Sequence, residues 1–107
     1  MKAVLYCRVA SPEQAYAGEA LRNQQTQLMA YAKKKGMEIA GIHMDAGFSG
    51  LTLDRPGLQA ALQAVKGGSA DTILVTNRSR LFRGFFPEEL RGVSVCAIKE
   101  RNLDLER

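Results

Sequence analysis

The strongest constraint on this chain is an alternation: short β-branched and aliphatic runs are separated by stretches whose apolar residues recur at helical spacing. Residues 2–9, KAVLYCRV, form the first such run, which stops at Ala10-Ser11-Pro12, where proline lacks the donor that a ladder needs. Residues 19–35 place Leu21, Leu28, Tyr31 and Ala32 on one face, with Lys33, Lys34 and Lys35 at the end and Gly36 as a stop, which predicts a helix. A second strand is expected over residues 38–44, followed by a loop, DAGFSG, over residues 45–50, whose glycines supply backbone freedom. Asp54 is placed to cap a second helix, with Pro56 in its first turn, Leu58, Ala61, Leu62 and Val65 on one face, and Gly67-Gly68 at its end. Residues 72–76 read as a third strand, the arginine-rich segment NRSRLFRGFF begins at Asn77, a short helix is expected over residues 87–91, and a last strand over residues 93–98.

Strands that alternate with helices require right-handed crossovers. The expected fold is therefore α/β: an open, mostly parallel four-stranded sheet with helices on both faces. A length of 107 residues with 46% hydrophobic composition suits one compact domain over residues 1–107 and leaves no room for a second core. In open sheets of this kind sites gather beyond the carboxyl ends of the strands. Those ends carry three polar segments, residues 8–11, 45–50 and 76–83, which the fold would bring to one rim.

Arg8, Arg78, Arg80 and Arg83 fall in those segments, where a guanidinium fork can hold two phosphate oxygens at once. The alternative is that they pair with Glu13, Asp45 or Asp71, or face water. Ser11, beside Arg8, is either a nucleophile beside a cationic cluster or a turn former or helix cap ahead of Pro12. His43 is the only histidine and reads as a partly buried structural residue. Cys7 and Cys96 sit inside apolar runs, as buried reduced thiols do, and no His/Cys spacing suggests a metal. The glycines of DAGFSG match neither a Walker nor a dinucleotide fingerprint. A net charge of +4 favours polyanionic partners without requiring them. The reduced state expected of the two cysteines favours a cytoplasmic location, and neither a signal peptide nor a membrane-length apolar run is evident.

In order, YCRVAS at 6–11, LRNQ at 21–24, DAGFSG at 45–50, LDRPGL at 53–58 and RSRLFR at 78–83 resemble the serine site-specific recombinases, the resolvases and invertases, in their N-terminal catalytic domain. The resemblance implies a resolvase-like fold and a serine hydroxyl that attacks a DNA phosphodiester, leaving a 5'-phosphoserine bond and a free 3'-hydroxyl. It implies DNA as partner, no metal or small-molecule cofactor, and a homodimer or higher homo-oligomer in full-length form. Arg8 is similar to the family's first active-site arginine, Gln24 to its site glutamine, and Arg80 and Arg83 to its arginine pair. Arg55 resembles a further phosphate-contacting arginine, and Asp45 a supporting acidic residue. Ser79 stands where many small members carry aspartate, and Arg78 matches no family role.

Two departures stand out. The family pattern Tyr-x-Arg-x-Ser is met by Tyr6, Cys7, Arg8, Val9 and then Ala10, so Ser11 lies one place beyond the usual nucleophile. A one-residue step reverses side-chain direction in a strand, although a loop can turn it back. Only residues 84–91 separate Arg83 from the last strand, roughly two helical turns fewer than the family pattern, so a thin layer is expected there, with Phe85 and Phe86 filling part of it. The chain also stops at Arg107, short of the family's long helix and DNA-binding domain, as a fragment or a degenerate relative would. Three functions are open: a recombinase catalytic domain using Ser11, a non-catalytic resolvase-like domain for dimerisation or DNA contact, and a small anion-binding module that shares only the sheet.

Overall fold

The computed structural model describes residues 1–10, 14–48, 52–82 and 88–100. The elements run β1 (Lys2–Val9), α1 (Gln14–Lys34), β2 (Glu38–Ala46), α2 (Pro56–Lys66), β3 (Thr72–Val75), α3 (Arg78–Leu81), a 3-10 turn (Glu88–Leu90) and β4 (Val95–Ala97). The sheet order is β2-β1-β3-β4 and each pairing is parallel, so the α/β expectation holds.

β1 is central, with strands on either side, and residues 3–9 are all buried. That is why its sequence is a nearly continuous apolar run. Alternation sends Ala3, Leu5 and Cys7 to one face, where Leu28 and Ala32 of α1 cover them together with Leu74 of β3. Val4 and Tyr6 go to the other face, against Leu58, Ala61 and Leu62 of α2 and Ile73 and Val75 of β3. Burying Leu58 and Leu62 stabilises this layer by about 2 kcal/mol each. Leu81 of α3 and Leu90 of the 3-10 turn join the same cluster. Val93 belongs to the same cluster and Phe82 packs against it, while most of the segment expected to form a thin layer, with Phe85 and Phe86, lies outside the described residues.

Several boundaries differ from the sequence expectation. α1 begins at Gln14 rather than near residue 19, because its first turns lack the apolar periodicity that marked the rest. β2 extends through Asp45 and Ala46, which pair in register with Arg8 and Val9. The loop therefore starts at Gly47, whose φ of 81° is the left-handed turn that ends the strand. β4 is three residues long, although the amides of Ile98 and Lys99 still bond Val75 O and Thr76 O. Finally, Asp54 does not cap α2. Arg55 occupies the N-cap position in extended conformation with no side-chain cap bond, and the cap comes from a distant strand instead.

Candidate active site at the carboxyl rim of the sheet

That distant cap is Asp45. Its carboxylate accepts the Gly57 N–H at 2.8 Å and the Leu58 N–H at 2.9 Å, two of the amides a helix start leaves without partners. Gly57 makes this approach feasible, since a Cβ there would lie 2.8 Å from Met44 O and 2.9 Å from Asp45 Oδ2. The Tyr6 hydroxyl also donates to Asp45 Oδ2 at 2.8 Å, and accepts from Arg55 Nη1 at 3.0 Å. Burial, then the bond to Asp45, pushes the Tyr6 phenol well above its ordinary pKa against the opposing charge of Arg55, so it remains a donor.

Arg55 is wholly buried. Its Nε donates to Thr52 O at 2.8 Å, its Nη1 also to Arg80 O at 3.0 Å, and its Nη2 to Leu81 O. The fork that sequence resemblance directs at phosphate is thus occupied by main-chain carbonyls, and it pins α3 to the start of α2. Arg8, 3% exposed, pins the same turn from β1. Its Nε donates to Arg80 O at 2.8 Å, its Nη2 to Ser79 O, and its Nη1 to Phe48 O at 2.8 Å, which ties the loop after β2 to α3. Arg80 O therefore accepts from two guanidinium groups, one for each lone pair.

Gln24 reaches over from α1 to the main chain of Arg8. Its Oε1 accepts the Arg8 N–H at 3.1 Å and its Nε2 donates to Arg8 O at 3.0 Å. The β1–β3 pairing ends at Leu5 and Leu74, so the amide side chain does for Arg8 what a neighbouring strand does lower in the sheet. Arg80 Nη1 donates to the same Arg8 O at 3.1 Å, while its Nε is buried with no hydrogen-bond partner. The Thr76 hydroxyl at the end of β3 is likewise buried and unpartnered. The charge of Arg80 also reaches Cys7, where it opposes, but does not overcome, the burial that pushes the thiol up to about 11.

The structure thus brings Arg8, Gln24, Arg80, Arg55 and Asp45 to one rim. Ser11 and Arg83 lie outside the described residues. Arg78 turns aside: its side chain meets Glu100, not Asp45 or Asp71. Asp71 takes the Lys2 amide at the opposite end of β1. Half-buried His43 lies within β2 opposite Tyr6, below the rim. Both cysteines are free thiols, Cys7 buried and Cys96 half-buried, with Cys96 Sγ 3.5 Å from Tyr31 Oη. Sequence reasoning missed Thr76 and Glu100, and gave Tyr6 no role although it sits in the first motif with the parity that faces α2.

Comparison with known proteins agrees with this geometry. The chain matches the family described as Resolvase, N terminal domain, over residues 3–105, and it belongs to that family. Solved structures similar to it are serine recombinase catalytic domains. The C-terminal catalytic domain of ISC1926 TnpA, an IS607-like serine recombinase, is 34% identical with a TM-score of 0.80, covering 94% of this chain and 71% of that one. The N-terminal catalytic domain of TP901-1 integrase is 34% identical with a TM-score of 0.71, covering 78% of this chain. A serine recombinase from Sulfolobus solfataricus is 28% identical with a TM-score of 0.63, covering 78% of this chain. The chain spans 62% of the TP901-1 domain and 54% of the Sulfolobus protein. Among the described residues no helix is long and apolar enough to cross a membrane.

Proposed function

We propose that this chain is the catalytic domain of a serine site-specific recombinase that cleaves and rejoins DNA through a 5'-phosphoserine intermediate. The observation that carries the reading is Arg80: its buried Nε has no partner, and it stands between the Arg8 peptide and the end of β3, at the rim where ligands of such sheets bind. Ser11, three residues after Arg8, is the nucleophile of this reading. Its Oγ forms a bond to phosphorus as the P–O3' bond breaks; the serine proton leaves, and the departing 3' oxygen gains one. Rejoining reverses both transfers. Arg80, with Arg83 and the field of Arg8, stabilises the charge on the non-bridging oxygens, and Gln24 fixes the peptide that carries Arg8. Asp45 and Arg55 act beneath the phosphate, as the frame for these groups. The reading includes DNA as partner, no cofactor, one folded unit in the cytoplasm, and a homo-oligomer in the full-length protein.

The test is to trap a covalent adduct on a nicked suicide duplex. Adduct from the parent chain that vanishes in Ser11→Ala supports the reading; an unchanged yield in Ser11→Ala removes that serine from it.

A second reading, a non-catalytic domain for DNA contact or dimerisation, is favoured by Ala10, which is exposed where β1 ends and offers no hydroxyl. Under it, the parent chain forms no adduct and Ala10→Ser creates one.

A further inference from the structure

We infer that Glu100 is a positioning residue for the arginine turn α3, setting the direction of Arg80 from the end of the edge strand β4; this rests on the reading that Arg80 meets DNA phosphate. A four-residue helix does not hold itself together, because nucleating one turn fixes several residues for a single internal bond. At its carboxyl end α3 is held by Arg8 and Arg55, whose donors sit on the carbonyls of residues 79–81. At its amino end the residue in the capping position, Asn77, makes no side-chain cap bond. Glu100 does that work. Its Oε2 accepts the Arg78 N–H at 2.6 Å and its Oε1 accepts Arg78 Nε at 2.7 Å, so one carboxylate holds both backbone and side chain of the first residue of the turn. The approach follows from the sheet: the amides of Ile98 and Lys99 bond Val75 O and Thr76 O, which sets Glu100 beside the start of α3.

Arg80 is two residues on. Its amide closes onto Asn77 O at 3.1 Å and the Phe82 amide onto Arg78 O at 3.0 Å, so a loosened Arg78 disturbs these bonds on either side of it. Arg78 thereby acquires a role too: it is the second grip for Glu100 and points away from the rim. The segment after β4 and the site are in this way mechanically joined.

Two measurements on Glu100→Ala, Glu100→Gln and Arg80→Ala test this. The first is amide hydrogen exchange at Arg80 and Phe82, which requires no DNA. Exchange at both is expected to rise roughly tenfold in Glu100→Ala, and by less in Glu100→Gln, whose amide oxygen still accepts the Arg78 N–H. The second is affinity for a short labelled duplex, expected to fall about 3–10-fold in Glu100→Ala and not to fall further when that change is added to Arg80→Ala. The melting temperature should hardly move, because the ion pair is partly exposed. Unchanged exchange overturns the inference whatever the DNA result. Faster exchange with full DNA affinity, or additivity with Arg80→Ala, overturns the claim that Glu100 acts through Arg80. If the parent chain has no salt-dependent affinity for the duplex, it is the recombinase reading that falls, while the exchange result still decides whether Glu100 holds the turn.

Discussion

Replacing Arg55 by alanine removes four donated hydrogen bonds from a residue with no solvent exposure: those to Thr52 O, Tyr6 Oη, Arg80 O and Leu81 O. Tyr6 keeps its bond to Asp45 and Arg80 O keeps its bond from Arg8 Nε, but Thr52 O and the buried Leu81 O lose the donor that Arg55 supplies. Each bond from a charged donor contributes about 1.5–3 kcal/mol, and water entering the vacated space recovers part of the sum, so a net loss of about 3–5 kcal/mol is expected. Against a total stability of about 5–15 kcal/mol that is a large fraction, and it lowers the melting temperature by roughly 12–40 °C in a domain of this size. Arg55→Lys, which keeps the charge and loses the fork, should fall between the two. Circular dichroism during heating and urea titration measure both. A melting temperature within about 3 °C of the parent, together with a salt dependence of DNA binding that flattens by about one phosphate contact, would refute the reasoning. Arg55 would then be a DNA ligand and not the pin of α3.

Arg80→Ala should do the reverse, leaving the melting temperature within a few degrees and weakening duplex binding about tenfold or more with a shallower salt dependence. Gly57→Ala, which by helix propensity alone would stabilise by up to about 1 kcal/mol, should instead destabilise by about 1–3 kcal/mol, because the new methyl meets Met44 O and the Asp45 carboxylate below 3 Å; chemical denaturation gives the sign. Native protein at pH 8 should react with a disulfide reagent at Cys96 first, with Cys7, its thiol pushed up to about 11, labelled only as the fold opens. The same shift has a stability consequence. Cys7 is favoured neutral in the fold, so its contribution is complete below about pH 9 and is lost as pH rises from 9.0 toward 11, with the Tyr6 phenol following at higher pH. Melting temperature against pH should show this alkaline decline, with a later onset in Cys7→Ala.

The alternation of apolar runs was sufficient to read the strands, the two long helices and their layering, because β1 is buried on both faces and α2 on one, and each leaves its own period. What local pattern could not reveal were the contacts made across the chain. Asp54 has the right position for a cap by near-neighbour rules, yet the carboxylate that reaches the α2 amides is Asp45, from a strand that pairs with β1. Arginines at strand ends look alike in sequence whether they face phosphate or backbone. Arg8 and Arg55 turn toward carbonyls because α3 presents three of them within reach, and only the tertiary arrangement reveals that. The acids that sequence offered to Arg78 were Glu13, Asp45 and Asp71, while its partner, Glu100, arrives along the end of β4.

Gln24 has a consequence for the motion of the first helix. Its amide matches the Arg8 peptide group for group, a donor to a carbonyl and a carbonyl to a donor. Such a match exists at a single offset: a slide of α1 by one residue, about 1.5 Å along its axis and some 100° around it, would break both bonds together. Gln24 therefore works as a vernier mark that indexes the helix to the strand, and ties the position of α1 directly to the peptide of Arg8.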